Sequence, residues 1–139
     1  MGMFTELIFG CSLKKDTPYY VTEILEFMLD ESDFKSDELL SDIPNYPLFT
    51  SDTRWRIMFV CSSYYFGVDN PVNKMWYDDI TNNWIISIRC NFKNYSNEIE
   101  LFLDWIKPYI DKGSGTRDIY AIVTYEQDSI PTLYYLEDE

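Results

Sequence analysis

Two short stretches decide the fold: Cys11-Ser12-Leu13-Lys14 and Cys90-Asn91-Phe92-Lys93. Each ends a predicted strand and leads into a predicted helix, with a capping residue, Thr17 or Ser96, where the helix begins. Both helices carry apolar residues at the i, i+3, i+4, i+7 spacing of a buried face. These are Val21, Ile24, Leu25 and Met28, then Ile99, Phe102, Leu103 and Ile106. Two such strand–helix units that share a sheet form a two-layer domain.

Alternating apolar residues predict the strands. We expect them over residues 5–13, 54–61, 74–80, 84–92, 119–123 and 132–136. Thr81-Asn82-Asn83 predicts a hairpin turn between two of them, because Asn tolerates the positive φ that such turns require. The central neighbours should be 5–13 and 84–92.

The element order β-α-β-β-β-α-β-β predicts an α+β two-layer sandwich. Its sheet should have five or six strands, mixed or mostly antiparallel, with two helices on one face, as in the ferredoxin-like split βαβ arrangement. Residues 1–139 should form a single domain. Within it, residues 31–53 are expected to be a long acidic, proline-containing loop or to hold a short helix, and residues 137–139 an acidic tail.

The charge balance narrows the classes of partner. The chain has 24 acidic and 11 basic side chains, and its net charge is −13. Such a surface repels phosphate backbones and anionic lipid, so we expect neither general nucleic-acid binding nor membrane binding. The charge either keeps a small protein soluble or addresses a partner protein with a basic surface.

The pattern of cysteines indicates the cellular compartment, and the absence of histidine limits the possible metal sites. Cys11, Cys61 and Cys90 form no CxxC pair and leave one thiol over, which is typical of a reducing compartment. No secretory signal and no bilayer-spanning segment is predicted, so we expect a cytoplasmic protein. Cys11 and Cys90 are expected to be small core residues. Without histidine a zinc site would need all three thiols and a carboxylate, so we expect no metal site and no cofactor.

The sequence also lacks the residues of a catalytic site. Absence of histidine removes the commonest general base and the Ser-His and Cys-His nucleophile pairs. Asp78 and Asp79 are neighbours on a predicted strand, so their carboxylates point to opposite faces. We therefore expect no catalytic residues and no enzymatic activity.

Two groups of residues are candidates for partner binding. One is the acidic run between the first helix and the proline segment, and the other is an aromatic cluster. They consist of Asp33, Asp37, Glu38 and Asp42, and of Tyr64, Tyr65 and Phe66, the latter near Trp76 and Tyr77. Large aromatic side chains are enriched at the centres of protein interfaces. The alternatives are a solvated acidic segment and a second small core.

A ligand site on the sheet is the alternative to a protein interface. If one sheet face is open, alternation places Arg54, Arg56 and Arg89 on it together with tyrosines, Tyr120 among them. Arginine forks beside phenols can hold a planar, nucleotide-like anion. The competing interpretation is that these arginines neutralise carboxylates across strands.

The sequence therefore favours a non-enzymatic, acidic protein-binding module. We expect an inhibitor that occupies a basic surface of its partner, as phage or mobile-element anti-defence proteins and toxin-immunity proteins do. This comparison is an analogy of size and charge. A small-ligand binder or sponge that uses the arginine and tyrosine face is the alternative, and a homodimer is a further possibility for the interface.

Overall fold

A computed structural model describes residues 4–30, 58–59, 73–94, 97–111 and 118–136. These residues form five strands and two α-helices. The elements are β1 (Thr5–Ser12), α1 (Tyr19–Asp30), β2 (Lys74–Asp78), β3 (Asn83–Phe92), α2 (Glu98–Ile106), β4 (Ile119–Tyr125) and β5 (Thr132–Tyr135). A 3-10 turn over Lys107–Tyr109 follows α2 directly, because Pro108 cannot continue the α-helix.

The five strands form one antiparallel sheet in the order β2-β3-β1-β4-β5. β1 is the central strand, and its Leu7 lies opposite Cys90 of β3 and Val123 of β4. The predicted α+β sandwich is thus confirmed, with an all-antiparallel sheet over the described residues. The segments 5–13 and 84–92 are neighbours, as the sequence predicts.

The core lies between one face of this sheet and the two helices. Alternation along β1 turns Leu7 and Phe9 to that face, and both are buried. Each helix buries the predicted stripe, namely Val21, Ile24, Leu25 and Met28 in α1 and Ile99, Phe102, Leu103 and Ile106 in α2. The Phe102 ring joins the layers, because its centroid lies 5.4 Å from that of Phe9 and 5.1 Å from that of Phe59, in both cases edge to face.

The helix starts differ from the predicted caps. The Thr17 hydroxyl donates a hydrogen bond backwards, to the Lys14 carbonyl at 2.6 Å, and so stabilises the turn before α1. Ser96 lies outside the described residues. At α2 the side chain of Asn94 accepts a hydrogen bond from the Ile99 backbone N–H at 2.9 Å, so Asn94 satisfies one of the free donors at that helix start.

The strand predicted over residues 54–61 is wrong at Met58 and Phe59. Of the segment 54–61, only Met58 and Phe59 are described, and they have 3-10 rather than extended conformation. Both side chains are buried, and Phe59 packs on Phe102. The sequence from Ile57 to Val60 is continuously apolar, and such a short run has no period that separates a strand from another buried conformation.

The remaining boundaries follow the sequence closely. β2 ends at Asp78 rather than Ile80, because the turn begins at Asp79. Within this turn Asn82 has the positive φ, 60°, that the hairpin prediction requires. Within the described ranges, no helix combines the length and the apolar composition needed to cross a bilayer.

Replacing Phe102 tests the contact between the layers. Phe102→Ala should lower the free energy of unfolding by about 3–5 kcal/mol, since it removes a fully buried ring that touches both β1 and Phe59. Urea denaturation measures the change. Leu133→Ala on β5, where the side chain is 39% exposed, should cost less than about 1 kcal/mol. Equal losses in the two variants would contradict this packing.

Candidate binding sites

The acidic and aromatic residues predicted for partner binding lie outside the described residues. This applies to Asp33, Asp37, Glu38, Asp42, Tyr64, Tyr65 and Phe66. Arg54 and Arg56 of the alternative ligand site lie outside them as well. Both sets therefore remain predictions.

The described part of the predicted arginine and tyrosine face consists of Arg89 and Tyr120. Arg89 lies on the sheet face opposite the helices and is exposed, and its backbone N–H donates to the Asn73 side chain at 2.8 Å. Tyr120 lies at a β-bulge between Ile119 and Ala121, where regular alternation does not assign it to this face, and it is only 4% exposed as part of the core. Its ring therefore offers little surface on which a flat ligand could stack. Glu6 and Asn91 are buried on this face, whereas Ser87 and Arg89 on it are exposed.

A larger exposed surface lies at the β2–β3 hairpin. β2 is at one edge of the described sheet, and its Trp76 and Tyr77 are 37% and 49% exposed. Ile80 in the turn is 87% exposed. Trp76 pairs with Ile85 on the face away from the helices, whereas Tyr77 pairs with Trp84 on the helix side. We call Trp76, Tyr77, Asp79 and Ile80 the hairpin surface; it extends around the sheet edge.

Carboxylates accompany these apolar side chains. Asp78 accepts hydrogen bonds from the Ile80 backbone N–H and the Thr81 hydroxyl, each at 3.0 Å. These bonds favour the charged form of Asp78 and so hold its pKa below the usual value. The bond from the Ile80 N–H has the largest effect. Asp79 is exposed beside it. The Asp78 carboxylate thus orders the turn, and Asp79 presents a second carboxylate to solvent.

A cleft of about 260 Å³ lies on the helix side of the same hairpin. It is bounded by the end of β1, the start of α1 and the facing side chains of β2 and β3. Lys14, Lys15, Thr17, Tyr77 and Trp84 contribute to its wall. We call it the lysine cleft. No sequence pattern predicts this site, because Lys14 and Trp84 come together only through the pairing of β1 with β3.

A side-chain network connects the start of α2 to β4. The Asn94 amide donates to Glu100 Oε1 at 2.6 Å, and the Tyr125 hydroxyl donates to Glu100 Oε2. Burial raises the pKa of Tyr125, and the hydrogen bond to the Glu100 carboxylate raises it further. Each polar group in this network has a partner within it, which indicates a structural role. The 31-residue separation of Asn94 and Tyr125 gives no signal in the sequence.

The two described cysteines behave as core residues. Cys90 of β3 is fully buried on the helix side of the sheet, and Cys11 packs against the same core. Burial raises the pKa of the Cys11 thiol to about 12, so almost none of it is thiolate at neutral pH. Within the described parts of the chain, no three Cys, Asp or Glu side chains are grouped closely enough to hold a metal ion.

The Tyr125–Glu100 hydrogen bond makes stability depend on pH. A raised pKa in the folded state gives stabilisation that is complete below the ordinary pKa of 10.0 and is lost as pH rises through the folded value. Tyr125→Phe should lower the free energy of unfolding by about 1–2 kcal/mol at pH 8. The variant should also lose less stability than the unaltered protein between about pH 9 and pH 11.

Urea denaturation across this pH range measures both effects. Tyr135→Phe, which removes an exposed phenol, is the matched control and should leave the stability at pH 8 unchanged. If Tyr125→Phe and the unaltered protein lose the same stability in alkali, the network does not hold the phenol in its neutral form.

Similarity to known proteins supplies no function for this chain. No protein family model, curated protein or solved structure matches it. The surfaces of the described residues are therefore the basis on which a function can be proposed.

Proposed function

We propose that this chain is a non-enzymatic module that binds a basic surface of another protein. The hairpin surface carries the proposal. It combines exposed apolar side chains, Trp76, Tyr77 and Ile80, with the exposed carboxylate of Asp79 at a sheet edge. The β4–β5 turn also places exposed apolar groups, Ile130 and Leu133, near exposed acidic ones, but the hairpin surface contains the one exposed tryptophan of the described residues.

The apolar side chains supply the binding free energy. Trp and Tyr are enriched among the few interface residues that dominate affinity, because they bury large areas at little cost in conformational entropy. Trp76 is held in place by the Lys74 ammonium, which lies 5.3 Å from its ring centroid. A partially ordered ring loses less freedom when it is covered by a partner.

The charge determines which partners fit. A net charge of −13 attracts a cationic protein surface over distance and speeds its encounter, and it repels acidic surfaces. Asp79 supplies a local negative group beside the apolar contacts. A basic surface with an apolar recess therefore complements the hairpin surface in both respects.

The residues predicted from the sequence belong to the same proposal. Asp33, Asp37, Glu38 and Asp42 would extend the acidic contact, and Tyr64, Tyr65 and Phe66 the aromatic one. A compact acidic domain of this kind suits a cytoplasmic inhibitor of the anti-defence or immunity type that occupies a basic groove, by analogy of size and charge. The alternative ligand binder on the arginine and tyrosine face has less support, because Tyr120 is buried.

Capture experiments with paired variants test the proposal. The unaltered chain, Trp76→Ser/Ile80→Ser and the control Ile130→Ser/Leu133→Ser are immobilised and exposed to a lysate of the source cells. Both variants replace two exposed apolar side chains, but the control pair lies near the opposite sheet edge. A basic protein should be retained by the unaltered chain and the control and lost from the hairpin variant.

The captured protein is then purified and its affinity is measured by calorimetry. The hairpin variant should weaken binding at least roughly tenfold, which is about 1.4 kcal/mol. Asp79→Lys should also weaken it, and the affinity should fall as salt rises from about 50 to 300 mM. If the hairpin variant retains every captured protein, if only acidic proteins are captured, or if the chain captures only copies of itself, the proposal is wrong.

A further inference from the structure

The lysine cleft has a charge opposite to that of the whole chain. Lys14 and Lys15 are exposed at its rim, and no carboxylate is among the described residues that line it. Asp16, next in the sequence, is exposed and is not part of the lining. The first turn of α1, which adjoins the cleft, contains no acidic residue. In a chain of net charge −13, this is a local site where an anion can bind.

The backbone that carries the two lysines is held on both sides. The Lys14 N–H donates to the Tyr109 carbonyl at 2.8 Å, and the Lys14 carbonyl accepts from the Thr17 N–H at 3.1 Å and from its hydroxyl at 2.6 Å. The turn from Lys14 to Thr17 is therefore formed without a ligand. An anion that binds there needs to order only the lysine side chains, which lowers the entropic cost of binding.

Aromatic rings form the opposite wall. The rings of Tyr77 and Trp84 lie edge to face with centroids 5.4 Å apart. The backbone of Trp84 is held by β1, because its carbonyl accepts a hydrogen bond from the Leu13 backbone N–H at 2.8 Å. Trp84 is partly buried, so its position is fixed, while Tyr77 and Tyr19 remain accessible to solvent. Accessible rings of this kind stack on flat heterocycles, with a stabilisation of about 1–3 kcal/mol for each base.

We propose that the lysine cleft binds a small anion that carries a flat ring, of the size of a nucleoside monophosphate. The two ammonium groups would pair with the phosphate and the aromatic wall with the base. The volume of about 260 Å³ is below the roughly 300–1,000 Å³ of sites that enclose a whole ligand, so one such molecule would fill the cleft and project partly into solvent. This site differs from the arginine and tyrosine face, and it does not depend on the proposed protein partner.

Titrations with three probes test both halves of the site. Adenosine 5′-monophosphate, adenosine and inorganic phosphate are added separately to the isotopically labelled full chain, and the Trp84 indole resonance is followed by NMR. The monophosphate should bind at least roughly tenfold more tightly than either adenosine or inorganic phosphate, because only it uses the lysines and the rings together.

Two double variants with the same change in net charge separate local from general electrostatics. Lys14→Ala/Lys15→Ala should weaken binding of the monophosphate at least roughly tenfold. Lys74→Ala/Lys93→Ala removes two exposed lysines away from the cleft and should weaken it less than about twofold. Tyr19→Ala should reduce the advantage of the monophosphate over inorganic phosphate. The cleft variants, Lys14→Ala/Lys15→Ala and Tyr19→Ala, leave the hairpin surface unaltered, so their results are independent of the protein-binding test.

Three results would overturn the inference. The first is the absence of saturable shifts up to about 10 mM monophosphate. The second is an equal loss of affinity in the two lysine variants, which would mean that only overall charge acts. The third is equal affinity for inorganic phosphate and the monophosphate, which would remove the aromatic wall from the site.

Discussion

The two-sided pairing of β1 is the constraint on which the rest of the structure depends. Leu7 and Phe9 each lie opposite one residue of β3 and one of β4, so this strand fixes the register of both neighbours. A slip by one residue would turn both side chains away from the helices and expose them. The same register brings Trp84 of β3 beside the residues that follow β1, and it thereby forms the lysine cleft.

The sequence predicts the buried faces of the helices and strands, but it does not predict the helix caps or the connecting segments. The apolar stripes of α1 and α2 and the alternation of β1, β3 and β4 identify the buried faces, since a regular period is repeated in each. Helix caps have no such period. Asn94, Ser96 and Asn97 are all chemically able to cap α2, and only the structure shows that Asn94 reaches the Ile99 N–H. The strand predicted around Met58 fails for a related reason, because a continuous apolar run favours no single conformation.

The candidate sites differ in how far the sequence reveals them. Trp76 and Tyr77 are recognisable as surplus aromatic residues on a hairpin, and the structure shows that both are substantially exposed. The lysine cleft has no local signature, because Tyr77 and Trp84 lie about sixty to seventy positions after its lysines in the sequence. A strongly acidic chain thus has an exposed apolar edge that includes a carboxylate and, next to it, a small cleft with two lysines. The net charge is consistent with the carboxylate at the edge, but it gives no indication of the lysine cleft.

Cross-strand NMR contacts test the central position of β1 most directly. The account predicts nuclear Overhauser effects from the Leu7 region to both Cys90 and Val123, and from the Phe9 region to both Ile88 and Ala121, in the antiparallel pattern. Contacts to only one neighbouring strand, or contacts shifted by one residue, would contradict it. Loss of the contacts to β3, or a shift of their register, would also separate Trp84 from Lys14 and remove the geometry on which the cleft depends.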